Sequence, residues 1–304
     1  MSFIMQTQNL TKTYGKKDAA KDININIREG EIYGLIGRNG AGKTTIMRMI
    51  SGLSNPTSGT YSLFGKTGAE MRKMMNKVGV LIEHPGLYPK RSARENLKIK
   101  CMAMGVDYKK DNYLDNLLKI VGLENVSDKK GAGEYSLGMR QRLGIALALV
   151  GEPSMIILDE PINGLDPTGI VDIREMLLRL KEQGKTIFIS SHILGELEKM
   201  ATRYGIISGG KLVEEISAEE LAEKCGSRTV IKVSDTIKAS PIILKFLEGS
   251  TDNLECEKNS IFIKAKIENI GELTNALFNA GIVVSGITTD ENSAERYFIN
   301  KMEG

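Results

Sequence analysis

Residue type and spacing point most directly to chemistry in the stretch Gly37-Arg38-Asn39-Gly40-Ala41-Gly42-Lys43-Thr44-Thr45. Small residues let a backbone curl until successive N–H groups face inward on an anion, and a helix opening at Lys43 aims its positive end at the same place. The spacing is that of a P-loop, G-x-x-x-x-G-K-[ST], and the preceding run Glu31-Ile32-Tyr33-Gly34-Leu35-Ile36 reads as the strand that such a loop needs. In this setting Gly37, Arg38, Asn39, Gly40, Ala41 and Gly42 cradle phosphate oxygens through their backbone. Lys43 holds the β- and γ-phosphates, Thr44 ligates Mg²⁺ through its hydroxyl, and Thr45 donates to phosphate.

A pair of carboxylates belongs to the same chemistry. Met155-Ile156-Ile157-Leu158 is an unbroken apolar run of the buried parallel kind, and it ends in Asp159-Glu160-Pro161. Strand-end carboxylates face one crevice mouth, where Asp159 suits the Mg²⁺ shell and Glu160 suits a general base that polarises the attacking water. An acidic pair in such a place also fits a solvated turn, and the P-loop upstream favours the catalytic reading.

A third motif, Tyr135-Ser136-Leu137-Gly138-Met139-Arg140-Gln141-Arg142, resembles the signature of the ABC ATPase family, and the resemblance covers about residues 2 to 220. In that family the motif opens a helix that binds the γ-phosphate held by the opposite subunit. The resemblance therefore implies ATP and Mg²⁺ as ligands and an ATP-dependent homodimer whose two half-sites meet head to tail. The physics agrees, because the Ser136 hydroxyl, the Gly138 N–H and the helix dipole together make an anion site. Three further residues match the family: Tyr14 where an aromatic stacks on adenine, Asp166 of Asn163-Gly164-Leu165-Asp166-Pro167 where the D-loop touches the other subunit, and His192 at the γ-phosphate switch. Each alone also fits a packing, turn or surface residue.

The sequence departs from the common family pattern in the signature and after the strand Val78-Gly79-Val80-Leu81-Ile82. Leu137 and Met139 stand where glycine and glutamine are usual, and Glu83 replaces a glutamine that reaches Mg²⁺ and the water. Glu83 can still ligate the metal but adds negative charge beside the γ-phosphate. Both departures resemble ATPases of bacitracin-resistance and lantibiotic-immunity exporters. That resemblance implies an ATP-hydrolysing motor for export of a peptide antibiotic, lantibiotic-like or other amphipathic compound. It also implies an integral membrane permease docking near Glu83 to Asn96, and a cytoplasmic chain lying peripherally on the inner face of the cell membrane. The alternative is a soluble ABC ATPase acting on ribosomes or DNA; neither two cassettes in one chain nor long coiled coils are present to support it.

The elements that must position these residues follow from pattern and bulk. At 304 residues the chain is long enough for a large core and a smaller second one. Up to about Ala222 apolar runs alternate with amphipathic stretches, predicting a P-loop α/β core with a mixed, largely parallel sheet. Helical patterns over Arg94–Met104, Asp111–Val121 and Leu137–Val150 predict a helical insert at about 85–150. A boundary near the Lys224–Ser227 turn divides an ATP-binding domain, 1–224, from a C-terminal α+β domain, 225–304, expected to be regulatory or accessory. Its pattern, strand Thr229–Val233, helix Pro241–Leu247, strands near Leu254 and Ile261, helix Ile270–Ala280 and strand Ile282–Ile287, gives a βαββαβ, ferredoxin-like order with a helical tail.

The net charge of +3 is small and unclustered, so no nucleic-acid partner is expected. No apolar run approaches the ~18 residues that span a bilayer, the N-terminus lacks a signal-like core, and the 3 cysteines suit packing rather than disulfides or zinc.

Overall fold

The computed structural model describes residues 2–225, 228–247, 254–263, 267, 269–290 and 293–303. Along the chain, β1 (Phe3–Tyr14), β2 (Lys17–Ile23) and β3 (Asn26–Arg28) precede β4 (Ile32–Ile36), α1 (Lys43–Ile50), β5 (Ser58–Leu63), α2 (Gly68–Met74) and β6 (Val78–Leu81). Next come α3 (Ala93–Met104), α4 (Tyr113–Ile120), α5 (Leu137–Leu149), β7 (Met155–Asp159), α6 (Pro167–Glu182), β8 (Thr186–Ser191), α7 (Leu194–Glu198), β9 (Arg203–Ser208) and β10 (Lys211–Ser217). The remainder holds α8 (Ala218–Cys225), β11 (Arg228–Val233), α9 (Thr236–Phe246), β12 (Leu254–Glu257), β13 (Ser260–Ile263), α10 (Ile270–Asn279), β14 (Val284–Asp290) and α11 (Ser293–Glu303).

Two compact units result, one formed by Met1–Ala218 with Lys301–Gly304 and the other by Glu219–Asn300. The division falls at α8 and not at the turn expected around Lys224–Ser227. Lys224 and Cys225 instead complete that helix, whose apolar Leu221 and Cys225 are buried four residues apart on one face. Gly226 and Ser227 lie outside the described residues.

In the larger unit, a six-stranded sheet has the order β10-β9-β4-β8-β7-β6. Strands β9, β4, β8, β7 and β6 run parallel, and β10 pairs antiparallel with β9. All residues of β4, β7 and β8 are buried, which is why these strands read as continuous apolar runs. Sequence periodicity did not separate out a second, antiparallel sheet in which β1 pairs with β2, β3 and β5. One apolar cluster joins the layers through Met5 and Leu10 of β1, Leu35 of β4, Ile46 and Ile50 of α1, and Ile157 of β7. The P-loop helix is therefore clamped by core packing at its apolar face.

Between β6 and β7 the described chain is helical, as the 3.6-residue pattern predicts. Ser92 starts α3 with a capping box, its side chain accepting from Glu95 N–H while Glu95 accepts from Ser92 N–H. Gly144 of α5 is required by packing: a Cβ there would lie 2.7 Å from the Pro85 Cβ, so the helix and the segment after β6 meet at van der Waals contact.

In the smaller unit, the antiparallel order β12-β13-β11-β14 with helices after β11 and β13 is that of a split-βαβ, ferredoxin-like module. Ile231, Val233, Ile261 and Ile263 pack with Ala239, Ile243, Leu273 and Leu277 of α9 and α10. Helix α9 begins at Thr236, earlier than the expected Pro241, because the Asp235 carboxylate accepts from both Ile237 and Lys238 N–H at 3.0 Å. Two satisfied end groups outweigh the preference of proline for a first turn, and Pro241 lies inside the helix. The strand expected from Ile282 starts at Val284.

Candidate functional site

Glycine geometry shapes the loop between β4 and α1. Gly42 precedes α1 at φ 108°, and a Cβ on it would fall 2.3 Å from the Ala19 carbonyl oxygen. A Cβ on Gly37 would lie 2.7 Å from the Ile207 carbonyl oxygen, and Gly40 adopts φ 80°. Only glycine fits positions 37 and 42 without displacing backbone, and at 40 only glycine adopts the positive φ without strain. The loop bounds a cleft of about 480 Å³ lined by Tyr14, Lys17, Asn39 to Thr45, Glu160 and Gly210 among others. Its walls thus combine the predicted Tyr14, cradle, Lys43, Thr44 and Thr45. Arg38 turns its guanidinium to the Glu303 carboxylate, leaving its backbone to the loop.

Inside the cleft the charged groups are interlocked. Buried Lys43 donates to the Gly37 carbonyl at 2.6 Å and pairs with Glu160 Oε1 at 3.1 Å. Glu160 Oε2 lies 2.7 Å from His192 Nδ1 and accepts from the His192 backbone N–H at 3.3 Å. The residue has φ 50°, a left-handed conformation unusual outside glycine, which turns the chain sharply at the end of β7. Thr44 Oγ1 donates to Asp159 Oδ2 at 2.7 Å, bringing the predicted metal-binding hydroxyl and carboxylate together. Such hard oxygen donors fit Mg²⁺, which keeps one or two protein ligands beside phosphate oxygens and water.

Ser190 was not legible as a site residue. Its hydroxyl donates to Asp159 Oδ1 at 2.6 Å and accepts from the Glu160 backbone N–H at 3.0 Å, tying the Asp159 carboxylate and the Glu160 main chain to the neighbouring strand. The available signal was a polar pair, Ser190-Ser191, closing an otherwise apolar strand. The Glu83 carboxylate, expected to reach the metal, accepts from Arg48 Nη2 at 2.8 Å.

Ser136, Gly138 and Asp166 are brought together elsewhere. They line a second cleft of about 410 Å³ with Leu137, Arg142 and Gly164, and it shares no lining residue with the first. Ser136 caps α5 by accepting from Met139 N–H at 3.2 Å, which leaves its O–H available to donate outward. Asp166 caps α6, accepting from Gly169 N–H at 3.1 Å.

The segment from Glu83 to Asn96 is held by buried Asn96. Its side-chain carbonyl accepts from Tyr88 N–H at 2.8 Å, and its amide donates to the carbonyls of Tyr88, Arg91 and Ser92. Replacing Asn96 by Ala is expected to destabilise the segment by about 1–3 kcal/mol, the cost of leaving buried groups unpaired. Hydrogen exchange over residues 85–92 measures this, with the Tyr88 amide exchanging faster.

Sequence and structure comparisons bear on this arrangement. The family model described as "ABC transporter" matches residues 20–163. Along 100% of this chain and 99% of the relative, the sequence is 42% identical to the bacitracin transport ATP-binding protein BcrA of Bacillus licheniformis. The chain belongs to the ABC transporter ATP-binding family. Members of this family bind ATP and hydrolyse it to power transport, and this ABC chain is such an ATPase. Over 70% of the chain and 90% of the relative, it is 45% identical to the lantibiotic transport ATP-binding protein SrtF of Streptococcus pyogenes. The solved dimer of the ATP-binding cassette MJ0796 in a post-hydrolysis state, bound to ADP and Pi, superposes with TM-score 0.63 at 27% identity, covering 70% of this chain and 98% of that one. Among the described residues of this ABC ATPase, no helix is long and apolar enough to cross a membrane.

Proposed function

We propose that this ABC ATPase is the motor of an exporter for a peptide antibiotic of the bacitracin or lantibiotic kind, or another amphipathic compound, acting as an ATP-dependent homodimer on a separate integral membrane permease. The separation of the two clefts is the observation that carries the dimer. One chain offers a phosphate cradle in one cleft and a second anion-binding helix end in another, with no residue in common. A head-to-tail twin unites them, so each nucleotide lies between the P-loop of one copy and Ser136, Gly138 and Asp166 of the other. Full-length similarity to a bacitracin transport ATP-binding protein supports the transporter reading over one on ribosomes or DNA.

On this reading Lys43 exchanges the Gly37 carbonyl and Glu160 for the β- and γ-phosphates when ATP enters. Glu160, released from Lys43, takes a proton from the attacking water, and His192 turns from Glu160 to the γ-phosphate. Thr44 and Asp159 hold Mg²⁺, which neutralises charge on the phosphate oxygens, while Ser190 keeps Asp159 in place. Tyr14 stacks on the base. Closure of the dimer moves the helical insert, and the segment Glu83 to Asn96 passes that motion to the permease at the inner face of the membrane. Differential affinity for the closed state resides in the γ-phosphate contacts, so loss of that phosphate reopens the pair.

Mixing two inactive variants tests the composite site. Lys43→Ala and Ser136→Arg chains are each expected to lack ATPase activity. Mixed in equal amounts they form half their dimers as hybrids, each with one intact site of two, and about a quarter of wild-type activity returns if sites act independently. Persistent inactivity of the mixture, with both variants folded and hybrids formed, overturns the shared site.

A further inference from the structure

Glu83 and Arg48 form a pair that the reaction described so far leaves unused. Arg48 lies on α1 four residues after Thr44, so the two side chains share a helix face, one turn apart. Thr44 donates to Asp159, and Arg48 donates to Glu83 at 2.8 Å. Register places Leu81 of β6 opposite Leu158 of β7, so Glu83 and Glu160, each two residues further on, leave the same end of adjacent strands. Both have left-handed backbones, φ 62° at Glu83 and φ 50° at Glu160. The Glu83 and Arg48 side chains are 54% and 43% exposed, so their pairing contributes little to stability. Strain at one partner and small gain from the pair direct attention to charge instead.

We propose that Arg48, one helical turn along α1 from Thr44, is a positioning residue that neutralises Glu83 and holds its carboxylate until Mg²⁺–ATP is bound. The inference rests on the nucleotide site proposed above. Asp159 and Glu160 already place two negative charges at the cleft, and a triphosphate brings more. A third carboxylate at position 83 opposes nucleotide entry unless a cation accompanies it, and Arg48 is that cation. Once Mg²⁺ is present, Glu83 leaves Arg48 and turns toward the metal and its water. The arrangement therefore separates nucleotide entry, which needs Glu83 screened, from metal-dependent closure, which needs it released.

The test is a double-mutant cycle on the full chain, using a fluorescent ATP analogue with and without Mg²⁺. Arg48→Gln keeps a good helix former but removes the charge, and is expected to weaken metal-free binding at least about fivefold. In the Glu83→Gln background the same change is expected to have almost no effect, and Arg48→Lys to restore most of the loss. The Mg²⁺ concentration needed for half-maximal binding should shift in Arg48→Gln but not in the double variant. An equal loss in both backgrounds, whether from folding or direct phosphate contact, overturns the positioning role. Wild-type protein that binds no nucleotide defeats the underlying site as well, whereas wild-type binding with additive mutations defeats this inference alone.

Discussion

Glu160→Gln is expected to leave ATP affinity within a few-fold of wild type and to slow steady-state hydrolysis by about 10²–10⁴-fold, the range ascribed to a positioned general base. The amide keeps the size of the carboxylate, and Ser190 still receives the backbone N–H of residue 160. It cannot accept a proton from water. Lys43 loses an ionic partner at 3.1 Å, which favours its transfer to phosphate. The variant should therefore accumulate as an ATP-bound dimer, visible by light scattering or gel filtration in MgATP and absent in MgADP. Undiminished turnover removes Glu160 from the catalytic role, and slow turnover without a dimer removes the coupling between γ-phosphate and association.

Gly42→Ala is expected to reduce nucleotide binding by about 10²-fold, the penalty for displacing a binding group by roughly an ångström. Two effects coincide at this glycine. Its φ of 108° is inaccessible to alanine without strain, and the added Cβ would lie 2.3 Å from the Ala19 carbonyl oxygen. That carbonyl belongs to β2, which is paired along β1, so the loop must yield instead. Gly40 supplies the comparison. It has φ 80° but no atom within 4 Å of where a Cβ would stand, so Gly40→Ala bears only backbone strain of about 1 kcal/mol. Titration with a fluorescent nucleotide, alongside thermal melting of both variants, separates loop displacement from global destabilisation. Equal affinities for the two variants contradict the assignment of the Ala19 contact as the decisive one.

Chemistry whose geometry is local was legible before any fold. The loop from Gly37 to Thr45 is one strand-loop-helix unit, and its glycine spacing reflects backbone curvature within that unit. The helices of the insert showed their period, and the βαββαβ order of the smaller unit emerged from apolar runs and turns. Boundaries were less secure where side-chain caps decide them, as Asp235 does for α9. The antiparallel sheet around β1 was hidden because its strands are half-buried and bulged, giving neither a clean alternation nor a long apolar run.

By itself, then, the sequence determined a phosphate-binding loop, a carboxylate-ended buried strand and a helix-opening serine, since bond geometry and hydrophobic period act over a few residues. Tertiary structure alone decided which distant groups meet: Ser190 reaches Asp159 across 31 positions because β7 and β8 run parallel in register, and Arg48 reaches Glu83 across 35. It also decided that Ser136 and the P-loop line different clefts. These outcomes depend on strand register and layer packing, which no short stretch of chain encodes.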